Sequence, residues 1–316
     1  MQVYIKKYMQ GISMRVLRAA VMFLIIGGLW PMVSLSQNEI LPKIMVIAHR
    51  GTRSLAPENT LAAARLAWRL GADGWELDVR MTKDGELILM HDETLSRTTN
   101  APSLFPDRSP WLVSNFTLEE IKTLDAGSWF VEQDPYGTIA SGEVPPEETA
   151  NFRGEKVPTL KEALTLTKEL GFWVNIELKS RPSFVLSPQA KALADRTVAL
   201  IREMGLERNV LISSFDPTIL QYLATLAPDI PTALLVSSLP ADPVSYLQAL
   251  GVNALNPRYD LVNENLLQTL SKAGFKIYIW TVNEPEDLKR FSSDPRITGI
   301  ITDWPQRLLS ILGRKK

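Results

Sequence analysis

Short apolar runs alternate with amphipathic segments along most of this sequence, and that alternation restricts the folds open to it. Strands that alternate with helices form parallel sheets whose two faces are covered. The number of units predicts an α/β fold, a TIM-type (β/α)8 barrel over residues 42–312. Examples of the apolar runs are IMVIA (Ile44–Ala48), GWELDV (Gly74–Val79), FWVNIEL (Phe172–Leu178) and KIYIWTV (Lys276–Val282).

Two regions depart from this pattern. Nine strand candidates compete for eight places, and residues 80–85 are too few for a helical crossover before ELILMH (Glu86–His91). ELILMH is therefore either a hairpin arm, with Asp84 at the turn centre and Asp78 opposite Met90, or an extended crossover. The stretch from about 93 to 157 is rich in proline and lacks clear alternation, so we predict a small insertion after the His91 strand, over one end of the barrel.

The first 36 residues differ in composition from the rest of the chain. They carry four basic residues and no acid, followed by an unbroken apolar segment, Ala19–Trp30, and then by small residues. That order is typical of a secretory signal, and the apolar segment is short for a spanning helix. We predict that residues 1–36 are a signal peptide or an N-terminal anchor. The protein would then be exported, periplasmic or extracellular, or membrane-anchored through its N-terminus.

The composition of the 316 residues excludes several kinds of site. The chain has no cysteine, which rules out thiolate metal sites, disulfides and a cysteine nucleophile. It has only two histidines, too few for a three-histidine zinc site. The 34 Lys and Arg nearly balance the 35 Asp and Glu, so we expect no nucleic acid partner. Imidazole chemistry must use His49 and His91.

Charged and polar residues recur where the predicted strands end. Active sites of TIM barrels lie at the C-terminal ends of the strands, so we expect these side chains to meet at one mouth. Glu76 and Asp78 are two residues apart and share one face of their strand. The strand-end set is His49, Arg50, Glu76, Asp78, His91, Glu177 and Lys179.

These residue types together predict a site that cleaves phosphoesters. Carboxylates without thiolates suit a hard ion, so we predict one divalent cation, Ca²⁺ or Mg²⁺, bound by Glu76, Asp78 and Glu177. Arg50 and Lys179 would bind the phosphate. The two histidines would act as general acid and general base near neutral pH.

The ordered motifs resemble those of the glycerophosphodiester phosphodiesterases, a family of phospholipase C-like phosphodiesterase barrels. The resemblance spans about residues 44–305. The resembling segments include Ala48-His49-Arg50-Gly51, Ala56-Pro57-Glu58-Asn59-Thr60, Glu76-Leu77-Asp78-Val79, His91-Asp92, Glu177-Leu178-Lys179, Trp280-Thr281-Val282-Asn283 and Thr302-Asp303.

That resemblance implies metal-dependent hydrolysis of a small glycerophosphodiester to glycerol 3-phosphate and an alcohol. It implies acid–base roles for His49 and His91. We hypothesise that one histidine deprotonates the glycerol 2-hydroxyl, which attacks phosphorus, while the other protonates the leaving alcohol; water then opens the cyclic phosphate. The insertion looks longer than usual for the family, through Val131–Asn151, which leaves the size of the admitted alcohol open.

Five further residues lie close to this set in the sequence pattern. Phe215 and Trp280 follow strands and are either walls of a glycerol pocket or ordinary core residues. Glu58 either assists the site or serves the turn. We predict that Asn59 caps a helix over residues 60–70 and that Asp303 is structural.

Two rival functions fit parts of the same pattern. One is a lysophospholipase D or C-like lipid phosphodiesterase, which an N-terminal anchor and a hydrophobic insertion would favour. The other is a non-catalytic binding barrel, against which the complete set of acid–base and metal-binding residue types argues.

Overall fold

The computed structural model describes residues 44–314. Residues 1–36, for which we predict a signal peptide or an anchor, lie outside the described residues. Among residues 44–314, no helix has the length and apolar character needed to span a bilayer.

Eight parallel strands close into a barrel, as the alternation predicts. The first strand pairs with the second on one side and with the last on the other, which closes the sheet. The nine strands of residues 44–314 are β1 (Met45–Ala48), β2 (Gly74–Met81), β3 (Leu87–Leu89), β4 (Trp173–Leu178), β5 (Val210–Ser214), β6 (Thr232–Val236), β7 (Ala254–Pro257), β8 (Lys276–Ile279) and β9 (Gly299–Thr302).

The extra strand candidate, ELILMH (Glu86–His91), forms a hairpin arm and not a barrel strand. β3 runs antiparallel to β2, with Val79 paired to Leu89, and the Met90 amide donates to the Asp78 carbonyl at 2.9 Å. A parallel arrangement would need a crossover of a dozen or more residues, which the short connection lacks. Gly85 makes the turn with a φ of +85°, a conformation that glycine adopts without steric cost.

Helices cover the outside of the barrel and most begin with a capping side chain or with proline in the first turn. The helices in the described part of the chain are α1 (Leu61–Leu70), α2 (Ala101–Leu104), α3 (Leu118–Thr123), α4 (Ser128–Gln133), α5 (Pro146–Phe152), α6 (Leu160–Glu169), α7 (Pro188–Met204), α8 (Pro217–Leu226), α9 (Pro243–Leu250), α10 (Glu264–Lys272), α11 (Pro285–Ser292) and α12 (Pro305–Ile311), with 3₁₀ turns at Pro106–Arg108, Val113–Asn115 and Tyr259–Leu261.

The prediction that Asn59 caps the first helix is wrong. The cap of α1 is Thr60, whose hydroxyl accepts the Ala63 N–H at 3.2 Å. Thr60 has the extended backbone that a cap requires, whereas Asn59 has a φ of +57°. The Asn59 side chain is thereby free to reach the barrel mouth.

The barrel interior is apolar at its lower end and polar at its upper end. Trp173 stacks on Tyr278 with ring centroids 5.8 Å apart and planes inclined by 21°. Small and branched apolar side chains pack with them, including Ile47, Leu211 and Ile301. Outward-facing strand residues join the helix–sheet core instead. The lower end is therefore filled by side chains, and a cavity opens toward the C-terminal ends of the strands.

The stretch between β3 and α6 consists of short helices, α2 to α5, with two of the 3₁₀ turns. Phe130 of α4 and Phe152 of α5 pack against Ala63 of α1, whereas most apolar side chains of α2, α3 and their flanking turns pack against β3 in a core of their own. That core is formed by Ile88, Met90, Leu95, Ala101, Val113, Phe116, Ile121, Leu124, Ala126 and Val157.

Candidate active site

Strand pairing sets the spacing of the three carboxylates. In the β2–β4 register, Asp78 is the partner of Glu177 and Glu76 is the partner of Asn175. One oxygen from each of Glu76, Asp78 and Glu177 lies within 4.8 Å of the others. Residues that alternate along a strand share a face, so these side chains all point to the mouth. The structure thus brings the predicted carboxylates together.

Arg50 and Lys179 lie against this carboxylate cluster. The Arg50 backbone N–H donates to Glu76 Oε2 at 2.9 Å, and its Nε lies 3.3 Å from Asp78 Oδ2. Lys179 Nζ lies 2.9 Å from Asp78 Oδ1 and donates to Glu177. When all three carboxylates are ionised, the two cationic side chains leave the buried cluster with one excess negative charge.

The excess charge affects the carboxylates unequally. Burial, together with the charges of Asp78 and Glu177, raises the pKa of Glu76 well above its usual value. Burial also opposes ionisation of Asp78, but Lys179 and Arg50 hold the pKa of Asp78 well below its usual range. A cluster of hard oxygen donors with an unbalanced negative charge fits a divalent cation such as Ca²⁺ or Mg²⁺.

His49 is held by an acid from the last strand of the barrel. Its Nδ1 lies 2.6 Å from Asp303 Oδ1, and Asp303 also accepts from Asn283 Nδ2 at 2.8 Å. The other ring nitrogen, Nε2, lies 3.9 Å from Glu76 Oε2. Burial lowers the pKa of His49, although Asp303 opposes the shift, and this favours a neutral imidazole at neutral pH.

The structural role that we expected for Asp303 is therefore incomplete, because its carboxylate contacts a candidate acid–base residue. The sequence contained a signal for this. Asp303 follows β9 in the same way that His49 follows β1, and the strand-end rule applies equally to both.

His91 also has an aspartate partner. Its Nδ1 lies 2.7 Å from Asp92 Oδ1, and Asp92 accepts from Arg97 Nε at 2.6 Å. The hydrogen bond from His91, together with Arg97, lowers the pKa of Asp92 against the effect of partial burial. On the backbone side, the Arg80 guanidinium donates twice to the His91 carbonyl, at 3.0 and 2.7 Å. Both the ring and the backbone of His91 are thus fixed.

Glu58 links several arginines below the mouth. It accepts from Arg50 Nη1 at 2.9 Å and from Arg97 Nη2 at 2.7 Å, and Arg53 Nη2 lies 3.0 Å from it. Burial alone would raise the pKa of Glu58, but these three guanidinium groups lower it to about 2. Of the two readings, the structure supports the one in which Glu58 assists the site, since it orients Arg50.

Asn59 contacts a candidate metal ligand directly. Its Nδ2 donates to Asp78 Oδ2 at 2.7 Å, and its Oδ1 accepts from the Asp78 backbone N–H at 3.1 Å. This pair of bonds fixes the Asp78 side chain relative to its own strand.

A cavity of about 270 Å³ opens at the mouth between these groups. One side is polar, with both histidines, Arg50 and Lys179, and the other is formed by Phe215 and Trp280. The two aromatic rings meet edge to face, with centroids 5.5 Å apart. Both aromatic residues therefore line the cavity at the barrel mouth.

Buried carboxylates, cations and aspartate-paired imidazoles at the mouth of a closed barrel define the class of TIM-barrel phosphodiesterases. The sequence profile of the glycerophosphoryl diester phosphodiesterase family matches residues 49–307. The chain belongs to this family.

Individual relatives agree with that assignment. A glycerophosphodiester phosphodiesterase of Caldanaerobacter subterraneus subsp. tengcongensis is 38% identical over 270 residues, which cover 85% of this chain and 98% of the relative. A phosphodiesterase of Oleispira antarctica, solved with its product sn-glycerol-3-phosphate, has a TM-score of 0.67 at 28% identity, covering 87% of this chain and 98% of that one. The structure of an Agrobacterium tumefaciens glycerophosphodiester phosphodiesterase has a TM-score of 0.67 at 27% identity, and the match covers 84% of this chain and 99% of that one.

Proposed function

We propose that the protein hydrolyses glycerophosphodiesters to glycerol 3-phosphate and an alcohol, with a divalent cation and with His49 and His91 as the acid–base pair. The observation that carries this proposal is the convergence of both histidines, each with an aspartate on Nδ1, on one carboxylate cluster. The Oleispira relative, whose structure holds the corresponding product, supports the choice of substrate.

Glu76, Asp78 and Glu177 would hold the cation. A cation bound there would polarise phosphate oxygens and lower the pKa of a coordinated hydroxyl. All three ligands offer oxygen, so Ca²⁺ and Mg²⁺ both suit the donor set.

Arg50 and Lys179 would bind the phosphate of the substrate. Charge balance supports this assignment, since three ionised carboxylates, as a bound cation would require, and two cationic side chains sum to a charge of −1. One divalent cation and one phosphodiester anion would together bring the site to neutrality. Burial makes such neutrality important, because unpaired charge is costly where water is excluded.

In the first step, one histidine takes the proton of the glycerol 2-hydroxyl at its Nε2. The hydroxyl oxygen forms a bond to phosphorus, the bond from phosphorus to the alcohol breaks, and the other histidine donates a proton to the departing oxygen. In the second step a water molecule opens the cyclic phosphate with the two roles reversed. Asp303 and Asp92 hold each ring by Nδ1, which leaves Nε2 available for these transfers.

Phe215 and Trp280 would receive the carbon face of the glycerol. An edge-to-face aromatic pair offers an apolar wall of fixed shape, which positions the 2-hydroxyl opposite the polar wall.

The water-soluble diesters are preferred here to a lysophospholipid. The lipid alternative would gain support from an insertion with an extended exposed apolar surface, but most apolar residues of the insertion pack into two buried cores, and Leu104 is its one exposed large apolar side chain among the described residues. Parallel assays of glycerophosphocholine and lysophosphatidylcholine separate the two substrates. Faster release of choline from the lysolipid would favour the lipid enzyme.

The test of the main proposal is an assay of purified protein on several glycerophosphodiesters, with a chelator and with Ca²⁺ or Mg²⁺ added back. We expect chelation to abolish release of glycerol 3-phosphate and one of the two ions to restore it. His49→Ala and His91→Ala should each lower kcat about 10²- to 10⁴-fold while circular dichroism and the melting temperature stay close to wild type. Normal turnover in either variant would refute the histidine mechanism.

We also propose that residues 1–36 direct export or anchor the chain to a membrane. The basic, then apolar, then small-residue order of that segment is the support. Cell fractionation with N-terminal sequencing of the mature protein tests it, and an intact N-terminus in the cytoplasm would contradict it.

A further inference from the structure

A second, larger cavity lies beside the candidate active site and no step of the proposed reaction uses it. It is a groove of about 820 Å³ between the β2–β3 hairpin, the 3₁₀ turn Val113–Asn115, the loop after β4 and the first turn of α7. Lys179 lines both this groove and the smaller cavity at the mouth. A substrate whose phosphate contacts Lys179 in the smaller cavity would therefore lie next to the groove.

The groove is lined by cationic side chains whose charge is not fully neutralised by neighbouring carboxylates. Among residues 44–314, neither Arg80 nor Lys83 forms an ion pair within 4 Å. Burial lowers the pKa of Arg80, and the charges of Glu93 and Asp78 oppose this only in part. Arg80 shares the face of Glu76 and Asp78 on β2, one step nearer the rim, and its guanidinium bonds only to the His91 carbonyl.

Among the described residues, Glu93 is the one acid that lines the groove, and it is already paired. Glu93 accepts from Arg181 Nε and Nη2 at 2.9 and 2.6 Å. The first turn of α7, a 17-residue helix, also faces the groove, and the positive end of its dipole adds to the potential there. The described lining thus holds four cationic side chains, Arg80, Lys83, Lys179 and Arg181, against the single carboxylate of Glu93.

We propose that this groove binds the leaving alcohol and selects alcohols that carry a second phosphate group. The inference rests on the proposed function, because it takes the phosphodiester to lie at Arg50 and Lys179. Arg80 and Lys83 would attract the second phosphate, and Glu93 would weaken that attraction by occupying Arg181. The insertion supplies one wall, so its conformation would limit the length of the alcohol.

The test compares two substrates that share the scissile group. One is 1,3-bis(glycerophospho)glycerol, whose leaving alcohol carries a second phosphodiester, and the other is glycerophosphoglycerol, whose leaving alcohol is neutral. We expect the first to have the higher kcat/KM at low salt, and the ratio of the two to fall as ionic strength rises. A ratio that is independent of salt would overturn the proposal.

Two variants should move this ratio in opposite directions. Lys83→Gln should lower it about two- to five-fold, the range for one exposed charge, and Glu93→Gln should raise it by a similar factor because Arg181 is released. The matched control is Lys276→Gln, since the exposed Lys276 begins β8 at the opposite end of the barrel, and it should leave the ratio unchanged. The same sign in both groove variants, or an equal shift in the control, would overturn the proposal.

Calorimetry separates this proposal from the proposed function. If neither diester is cleaved, the function fails, while the Kd of 1,3-bis(glycerophospho)glycerol still reports on the groove. Weaker binding to Lys83→Gln, by the same two- to five-fold, would support the groove even then, and an unchanged Kd would refute it.

Discussion

His49 and Asp303 are 254 residues apart in the chain, yet His49 Nδ1 lies 2.6 Å from Asp303 Oδ1. Their strands, β1 and β9, are neighbours in the closed barrel, and the His49 backbone N–H continues the ladder by donating to the Thr302 carbonyl at 3.0 Å. Closure of the sheet therefore produces the contact. The carboxylate fixes the ring so that Nε2 faces the cavity, which makes Asp303 a positioning residue for His49.

We predict that Asp303→Asn lowers kcat on the order of 10²- to 10⁴-fold, as loss of an aspartate that holds a catalytic histidine does elsewhere. The amide can donate to Nδ1 and so favour the tautomer with its proton on Nε2. The pH profile of kcat should also change. Asn283→Ala is the control, because it removes a donor to Asp303 but leaves the carboxylate on His49, and it should cost less. Near-normal kcat in Asp303→Asn would contradict the assignment.

A second prediction concerns Asn59, whose side chain bonds twice to Asp78. Asn59→Gly keeps the left-handed backbone but removes both bonds, so we expect about 1–3 kcal/mol of destabilisation and weaker binding of the activating cation. Asn59→Ala should lose about 1–2 kcal/mol more, since alanine resists a φ of +57°. Chemical denaturation and metal titration of the activity measure both effects. Equal stability of the two variants would contradict the backbone argument.

The arginine contacts of Glu58 predict a specific dependence of stability on pH. The pKa of Glu58 is about 2 in the folded protein against an ordinary value of 4.5. A depressed folded pKa stabilises the fold above about pH 4.5, and this stabilisation is lost as the pH falls toward 2. The full difference is about 3 kcal/mol.

Urea unfolding of wild type and Glu58→Gln at pH 7, 5, 4 and 3 tests that dependence. We expect wild type to be the more stable at pH 7 and the gap between the two proteins to narrow as the pH decreases. A gap that stays constant down to pH 3 would show that Glu58 has no such pKa.

Gly51 provides a fourth prediction, through comparison with Gly274. Both have positive φ, +84° and +83°, so alanine should cost each about 1–2 kcal/mol. At Gly51 the new Cβ would also lie 2.5 Å from Ala63 Cβ and 2.9 Å from the Ala63 carbonyl carbon, whereas nothing lies within 4 Å at Gly274. Thermal melts should therefore show a further loss of about 1–3 kcal/mol at Gly51.

Activity should separate the same two glycines. Gly51 follows Arg50, so a displaced backbone in Gly51→Ala should also lower kcat/KM, and Gly274→Ala should not. Equal effects of the two variants on stability would show that α1 yields to the added methyl group.

Some of the site could be predicted because it depends on local order along the chain. Glu76 and Asp78 are two apart on one strand, and the alternation of side chains puts both at the mouth whichever neighbours that strand has. Asp84-Gly85 predicted the register of the hairpin, with Asp78 opposite Met90, although it did not distinguish a hairpin from a crossover.

Other parts could not be predicted, because they depend on which atoms meet across the barrel. The sequence indicated a cap at Asn59, since Asn before an apolar helix usually caps it. Thr60 competes for that role and takes it, and only the folded chain shows that Asn59 then faces Asp78. The arginine cluster around Glu58 likewise joins residues from the first loop and from the insertion.

The sequence by itself determined the barrel, the strand-end positions of both histidines and the three carboxylates, and the hard-ion character of the donor set. Those properties follow from periodicity and residue type, which are local. Only the tertiary structure decided the partners: Asp303 for His49, Asp92 and Arg80 for His91, and the cationic groove beside Lys179. Hydrogen bonds and ion pairs form over a few ångströms, and sheet closure and loop packing set those distances between residues that are remote in sequence.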